Sequence, residues 1–498
     1  MSTQTCLDDL RVVLPQTFIL HSLFPHSLLF AMTRLERIRS KAVTVLAAAS
    51  LAAASTSTVA PRATWPNGPF TTNGRWMLDA NNATVTYAGV NWPGSLDAMV
   101  PEGLQYQSIE SIVSMIKSVG MNAIRLTYAT EMIDQYYDNG ESDVTIQRAF
   151  TDALGQDAGS TVFNAVITNN PSFDNQTTRL QVFDAIAAEC ARQEIYVHLD
   201  NHLSQAGWCC NPTDGNGWWG DTYFNVDNWS RGLSFMANHG RSWSNLMSMS
   251  LRNELRVPLT NSQVASTYTW EDWYTYMRQG SDAIHAANPD VLIFLSGLDS
   301  DKDLSVVVDG SNLTPGSARF SKNDFAGYGN KLVLELHAYD NIFTFGASSE
   351  CSSVEDRLNS AGFEALDDDA NHKFPVLLTE FGLEQNSTTA QDSYASCLLN
   401  FVSSRNAGWM IWQIGGSYYI REGTQDYDEQ WGLLSHDWSD WRAPDFVNNL
   451  NTTARSTLSV DGTVPELEDD SSAPRFGQHA AKWATVISIS LVIAGIAF

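Results

Sequence analysis

From residue 84 to residue 412, short apolar runs alternate with stretches of helical spacing, and the chain completes this alternation eight times. The runs Val85–Val90, Asn122–Leu126, Ile195–Leu199, Leu246–Leu251, Val291–Leu295, Leu332–Leu336, Phe374–Leu378 and Trp409–Trp412 are short and apolar almost throughout. That is the pattern of parallel strands buried on both faces. Apolar residues at helical spacing fall over Ile109–Val119, which stops at Gly120, over Leu180–Glu189, near Trp229–Met236 and over Trp270–Ala287. Eight strands joined by right-handed crossovers predict an α/β fold, a closed (β/α)8 barrel. An open doubly wound sheet would require a glycine-rich phosphate-cradling first turn, which the chain lacks. Two stretches lack a strong period: Glu131–Asn175, expected as a loop with a helix on the barrel top, and Gln205–Tyr223, expected as a loop after strand three.

The ends of six runs carry reactive or hydrogen-bonding side chains. Arg125 closes the second, Asp200-Asn201-His202 the third and Asn253-Glu254 the fourth. His337-Ala338-Tyr339 closes the sixth, Glu380 the seventh and Trp412 the eighth. In such a barrel the C-terminal ends of the strands share one face, where reactive groups gather. A lone strand-end Glu is more often a solvated surface residue, and a lone His more often structural. Their joint occurrence at eight-strand spacing points to one site. Two facing carboxylates there match what glycosidic bond cleavage requires, one acid and one nucleophile or base. A sugar-binding or cell-wall protein that has lost catalysis is the rival on the same barrel, and loss of either glutamate would favour it. Both Glu254 and Glu380 are present.

This constellation resembles glycoside hydrolase family 5, in the clan of retaining barrel enzymes. The family's pattern is an Arg after strand two, a His in an Asp-x-His string after strand three and Asn-Glu after strand four. His-x-Tyr follows strand six, Glu strand seven and Trp strand eight. Arg125, His202, Asn253, Glu254, His337, Tyr339, Glu380 and Trp412 match it, within a resemblance covering roughly residues 65–450. The string Trp208-Cys209-Cys210 through Trp218-Trp219-Gly220-Asp221 is similar to a plant and fungal cellulase-like branch. The resemblance implies Glu380 as nucleophile, kept ionised by Arg125 and hydrogen-bonded by Tyr339. It implies Glu254 as acid/base, with a pKa expected to be raised by apolar and anionic surroundings. Asn253 would hold a sugar 2-hydroxyl, His202 and His337 would bind hydroxyls or orient Glu254, and Trp412 would stack under the sugar. No cofactor and no metal is implied. The expected substrate is a carbohydrate polymer, foremost a β-1,4-glucan cut internally. Mannan, β-1,3- or β-1,6-glucan, a smaller glycoside, and transglycosylation use the same residues. Trp208, Trp218 and Trp219 are expected to wall the cleft.

The rest of the sequence bounds the setting. A formal charge of −27 and no basic patch exclude a nucleic-acid binder. Arg34 to Lys41 followed by the small apolar run Ala42–Ala54 has the form of a secretory signal, so 1–60 is expected to be removed, with Met32 an alternative start. Ser471-Ser472-Ala473, a polar spacer and the apolar Trp483–Phe498 have the form of a lipid-anchor (GPI) signal over 473–498, with a membrane span as the rival. Residues 451–472 are expected as an acidic Ser/Thr stalk behind a 65–450 catalytic domain. The protein is expected as a monomer at the cell surface or outside the cell, touching membrane through the lipid alone. Outside the signal region remain Cys190, Cys209, Cys210, Cys351 and Cys397, giving two disulfides and a free thiol, with Cys351–Cys397 the favoured pair because they flank one strand. Sequons at Asn82, Asn175, Asn228, Asn312, Asn386 and Asn451 suit a glycoprotein.

Overall fold

A computed structural model of the protein describes residues 65–325, 327–339 and 350–459. Eight parallel strands close into a barrel: β1 (Ala88–Trp92), β2 (Ala123–Ala129), β3 (Tyr196–Leu203), β4 (Leu246–Ser250), β5 (Leu292–Ser296), β6 (Leu332–Ala338), β7 (Val376–Phe381) and β8 (Gly408–Ile411). Pairing of Trp409 with Ala88 and of Ile411 with Val90 joins the last strand to the first. Every residue of the eight strands is buried, which is why each reads as an unbroken apolar run rather than an alternating one.

The helices of the outer ring start where the sequence provides a cap. Ser108 accepts from the Ser111 N–H, Thr178 and Gln181 form a capping box, and Asn225, Thr269 and Asp392 cap the helices that follow them. Helices Val226–His239 and Trp270–Ala287 meet where Trp229 lies over Gly280. A Cβ at Gly280 would stand 2.6 Å from the Trp229 ring, so only glycine admits this approach. Trp229 Nε1 in turn donates to the Leu251 carbonyl at 2.8 Å, fixing the exit of β4 just ahead of Asn253 and Glu254. At the opposite end of the barrel, Phe70, just ahead of a short antiparallel sheet, and Met77 within it pack with Tyr196, Leu292 and Leu377 and close the floor.

Two expectations of domain structure are corrected. Residues 131–175 are not a loop with one helix: three helices, Thr130–Asp138, Ile146–Leu154 and Gln156–Asn169, occupy most of the segment. Asn139-Gly140 and Gly155 cut it into pieces too short for a period to emerge. The barrel domain also does not end at 450. Helix Pro444–Leu458 runs through the first eight residues assigned to the stalk and packs on the barrel. Trp409 Nε1 donates to Thr457 Oγ1 at 3.0 Å, and Asn451 Nδ2 donates to the Val119 carbonyl at 2.7 Å. The Asn451 sequon therefore spends its amide on the fold. The signal region, the remaining stalk and the anchor pattern lie outside the described residues. Among the described residues no helix is long and apolar enough to cross a membrane. Cys351 and Cys397 form the expected disulfide, Cys209 and Cys210 form the second, and Cys190 is the free, buried thiol.

A chain ended after Leu450 loses the buried Ala454 and Thr457 and exposes the Trp409 indole. It should be less stable than a chain ended after Ser459 by about 3 kcal/mol. Thermal unfolding of the two proteins reads this directly; equal midpoints would place the domain end at 450 after all.

Candidate active site

At the C-terminal face the strands bring the expected residues to one cleft of about 560 Å³, which Ser95, His202, Asn253, Glu254, Tyr339, Glu380 and Trp412 help to line. Glu380 is the fifth residue of β7, and Glu254 follows β4 in a turn where its own φ is 45°. One oxygen of Glu254, one of Glu380 and a ring nitrogen of His337 all lie within 4.8 Å of one another. Arg125 does not close its strand. It is the third residue of β2, wholly buried inside the barrel, and its length carries the guanidinium up to the site.

Each carboxylate has its own set of holders. Glu380 Oε1 is paired with Arg125 Nη1, and Glu380 Oε2 accepts from the Tyr339 hydroxyl at 2.9 Å. Arg125 also donates to Asn91 Oδ1 and to Asn253 Oδ1, each at 2.9 Å, and pairs with Asp200 Oδ1 at 3.0 Å. With its oxygen committed to Arg125, Asn253 turns its Nδ2 toward the Cys209–Cys210 disulfide, 3.5 and 3.6 Å from the two sulfurs. Asp200 Oδ2 holds His202 Nδ1 at 2.6 Å, which leaves the other ring nitrogen for a ligand. Glu254 Oε1 is 3.1 Å from His337 Nδ1, and its backbone N–H donates to Asp301 Oδ2 at 2.8 Å.

The electrostatics correct one expectation. Burial acts to raise the pKa of Glu254, but the hydrogen bond and charge of His337 outweigh it and hold Glu254 below its ordinary value. The sequence reading counted the apolar and anionic surroundings and missed that an imidazole stands between the two carboxylates. His337 is pushed up to about 9: burial opposes its charge, and Glu380, Asp301 and Glu254 together overcome burial. Asp200 is drawn down to about 2, because Arg125 and His202 overcome its burial. The two shifts run in opposite directions, Glu254 downward and His337 upward, as a carboxylate–imidazolium contact requires.

The walls are partly as expected. Trp412 lies parallel to His202, ring centres 5.3 Å apart, and Trp208 meets Trp412 edge-on. Trp218 and Trp219 do not line the cleft. They are buried, packed against Tyr268, Trp229 and Tyr276, and they anchor the loop that presents Trp208 and the disulfide. Sequence reasoning stopped at Trp412 and missed the hairpin Ser417–Arg421/Thr424–Asp428 and the turn after it. From there Arg421 stacks 3.4 Å over Trp208, held by Glu429 at 2.7 Å, and Trp431, 37% exposed, faces Tyr339. The aromatic and charged string Tyr418 to Trp431 was the available signal. Asn91 and Asp301 were also missed; neither ends a recognisable motif.

A family model described as cellulase (glycosyl hydrolase family 5) matches residues 78–417, more than half of the chain and all but the last stretch of these walls. The chain belongs to glycosyl hydrolase family 5. A glycosyl hydrolase 5 family protein of Chamaecyparis obtusa is 33% identical over 77% of this chain, and the match spans 65% of that relative's length. An endoglucanase of Paenibacillus polymyxa is 21% identical over 76% of this chain and 85% of its own. The major extracellular endoglucanase of Xanthomonas campestris is 24% identical over 54% of this chain and 48% of its own. Among solved structures, the endocellulase of the archaeon Pyrococcus horikoshii superposes with a TM-score of 0.57 at 18% identity, covering 78% of this chain and 99% of that one. At that identity the likeness concerns the fold alone, the closed barrel.

The shifted groups set a stability profile. His337 is raised on folding, so its contribution is fully present below about pH 6.5 and is lost as pH rises through about 9. Asp200 is lowered, so its contribution is present above about 3.8 and is lost as pH falls through about 2. Melting temperatures from neutral to alkaline pH should fall more steeply for the wild type than for His337→Asn; parallel curves would show that His337 gains no charge on folding.

Proposed function

We propose that the protein is a retaining glycoside hydrolase that cuts β-linked polysaccharide within the chain, foremost a β-1,4-glucan, by double displacement. The observation that carries this reading is the approach of the Glu254 and Glu380 carboxylates to within 4.8 Å across the cleft. Retaining enzymes hold their carboxyls about 5–5.5 Å apart, whereas inverting enzymes leave about 6.5–9.5 Å for a water. Glu380, its two oxygens gripped separately by Arg125 and Tyr339, attacks the anomeric carbon. Glu254 protonates the departing oxygen, then takes a proton from the water that frees the sugar from Glu380. Asn253 Nδ2 and the free nitrogen of His202 are placed to bind sugar hydroxyls, and Trp412 and Trp431 offer ring faces to pyranose C–H groups. These steps use side chains alone, with no cofactor.

Internal cleavage is supported by the helices of the 131–175 segment. No cleft-lining residue comes from them; they surround a separate hollow beside the cleft, lined by Glu131, Gln135 and Asp152. The P. polymyxa and X. campestris relatives, both endoglucanases, point the same way. Export to the cell surface as a lipid-anchored monomer completes the reading, and release from cells by phospholipase C tests the anchor.

Glu380→Gln should lower turnover on a soluble β-1,4-glucan by ~10⁴-fold or more while leaving oligosaccharide binding nearly intact. Products of several sizes should appear early in wild-type digestion. Release of monosaccharide alone from the start would overturn internal cleavage, and turnover surviving in Glu380→Gln would overturn the nucleophile.

A further inference from the structure

The turn after β5 carries a carboxylate that the reading of the reaction has not used. Asp299, Ser300 and Asp301 have φ of 53°, 56° and 57°, three successive non-glycine residues in the left-handed region. Each such residue costs about 1–2 kcal/mol, so the turn is held by what it contacts. The contacts lie on Glu254 and its neighbour. Asp301 Oδ2 accepts from the Glu254 N–H at 2.8 Å, and the Ser300 N–H donates to the Leu255 carbonyl at 2.9 Å. Glu254 is itself left-handed, with φ of 45°. Asp301 has no exposed surface, and its Oδ2 stands 3.6 Å from His337 Nε2. Among the described residues neither Asp301 Oδ1 nor His337 Nε2 has a hydrogen-bond partner.

We propose that Asp301 is a positioning residue for the acid/base: it fixes the backbone turn that aims Glu254 into the cleft and, paired with the far nitrogen of His337, keeps that imidazole charged so that its Nδ1–H is available to Glu254. The inference rests on the reading of Glu254 as acid/base and deepens it. In the first step a proton passes from His337 Nδ1 to the Glu254 carboxylate and from Glu254 to the departing oxygen. His337 is left neutral, its Nε2–H still against Asp301. The proton taken from water in the second step returns by the same route, so the cycle closes with nothing consumed.

The groups around this pair are few. Asp301 is faced by His337 and Glu335 from β6, by Glu254 from the exit of β4, and by Tyr268 from the segment before helix Trp270–Ala287. His337 is faced by Glu254, Glu380, Asp301 and Glu335. Burial drives Asp301 well above the usual carboxylate range, and the charge of His337, 3.6 Å away, opposes that shift. A turn former with no other role would need only an acceptor for the Glu254 N–H, and Asn supplies that acceptor without the charge.

The test is a titration of the His337 ring by NMR on nitrogen-labelled full-length protein, for wild type, Asp301→Asn and Asp301→Ala, beside the pH profile of kcat/KM on a soluble β-glucan. In wild type the His337 midpoint should lie at about 9, well above that of free histidine. In Asp301→Asn it should fall by about one unit or more, and the alkaline limb of kcat/KM should move by the same amount, with the melting temperature nearly kept. Asp301→Ala, which also loses the backbone acceptor, should lower kcat by a further ~100-fold with little change in KM. A wild-type midpoint near that of free histidine, or an Asp301→Asn midpoint equal to wild type, overturns the inference while leaving the functional reading in place. A wild type without turnover on any glycan overturns the functional reading. The ring titration needs no substrate, so it still decides whether Asp301 sets the charge of His337.

Discussion

The site depends on one buried guanidinium. Arg125 sits inside the barrel with no exposed surface, where a lone charge would cost several kcal/mol. It donates to Asn91 from β1, Asn253 from the exit of β4 and Glu380 from β7, and it forms an ion pair with Asp200 from β3. Asn91 in turn donates to the carbonyls of Thr379 and Ile411, bringing in β7 again and β8. Burial acts against the charge on Arg125, but Asp200, Glu380 and Glu335 outweigh it and keep the group firmly protonated. A single cation thus ties together the face on which the site is built, and removing it would leave Asp200 with His202 alone and Glu380 with Tyr339 and His337.

The two glutamates are held differently, and the roles proposed for them rest on that difference. Glu380 is gripped at both oxygens, by a permanent cation and by a phenol, so its position and charge are fixed before substrate arrives. Glu254 is held by its backbone and touches an imidazole that can gain or lose a proton. A nucleophile needs the first kind of environment and an acid/base the second. The short distance between them is what makes His337 so basic: two carboxylates and Asp301 converge on one ring.

Much of this was legible in the chain. All eight strands lie within a few residues of where the apolar runs put them, because buried parallel strands leave a simple mark. Every site residue read from the strand ends reaches the same face of the barrel. What was not legible depends on contacts between distant segments. The sign of the Glu254 shift depends on His337, 83 residues away. Asp301 stands between Asp299 and Asp303 in the chain with no motif to mark it, yet it is wholly buried. Trp218 and Trp219 look like cleft aromatics from their loop and are core residues. Arg421 and Trp431 reach the cleft from a hairpin with no strand-end signature. The 131–175 helices are hidden by the glycines that separate them.

The central claim is that Glu380 forms a covalent bond to the sugar while Glu254 handles the proton. Mass spectrometry of the protein incubated with an activated 2-deoxy-2-fluoro β-glucoside or cellobioside tests it most directly, since the fluorine slows release of the intermediate. The account predicts one added sugar, mapped by peptide sequencing to Glu380. A sugar on any other carboxylate, or no adduct together with products of inverted anomeric configuration, would contradict it.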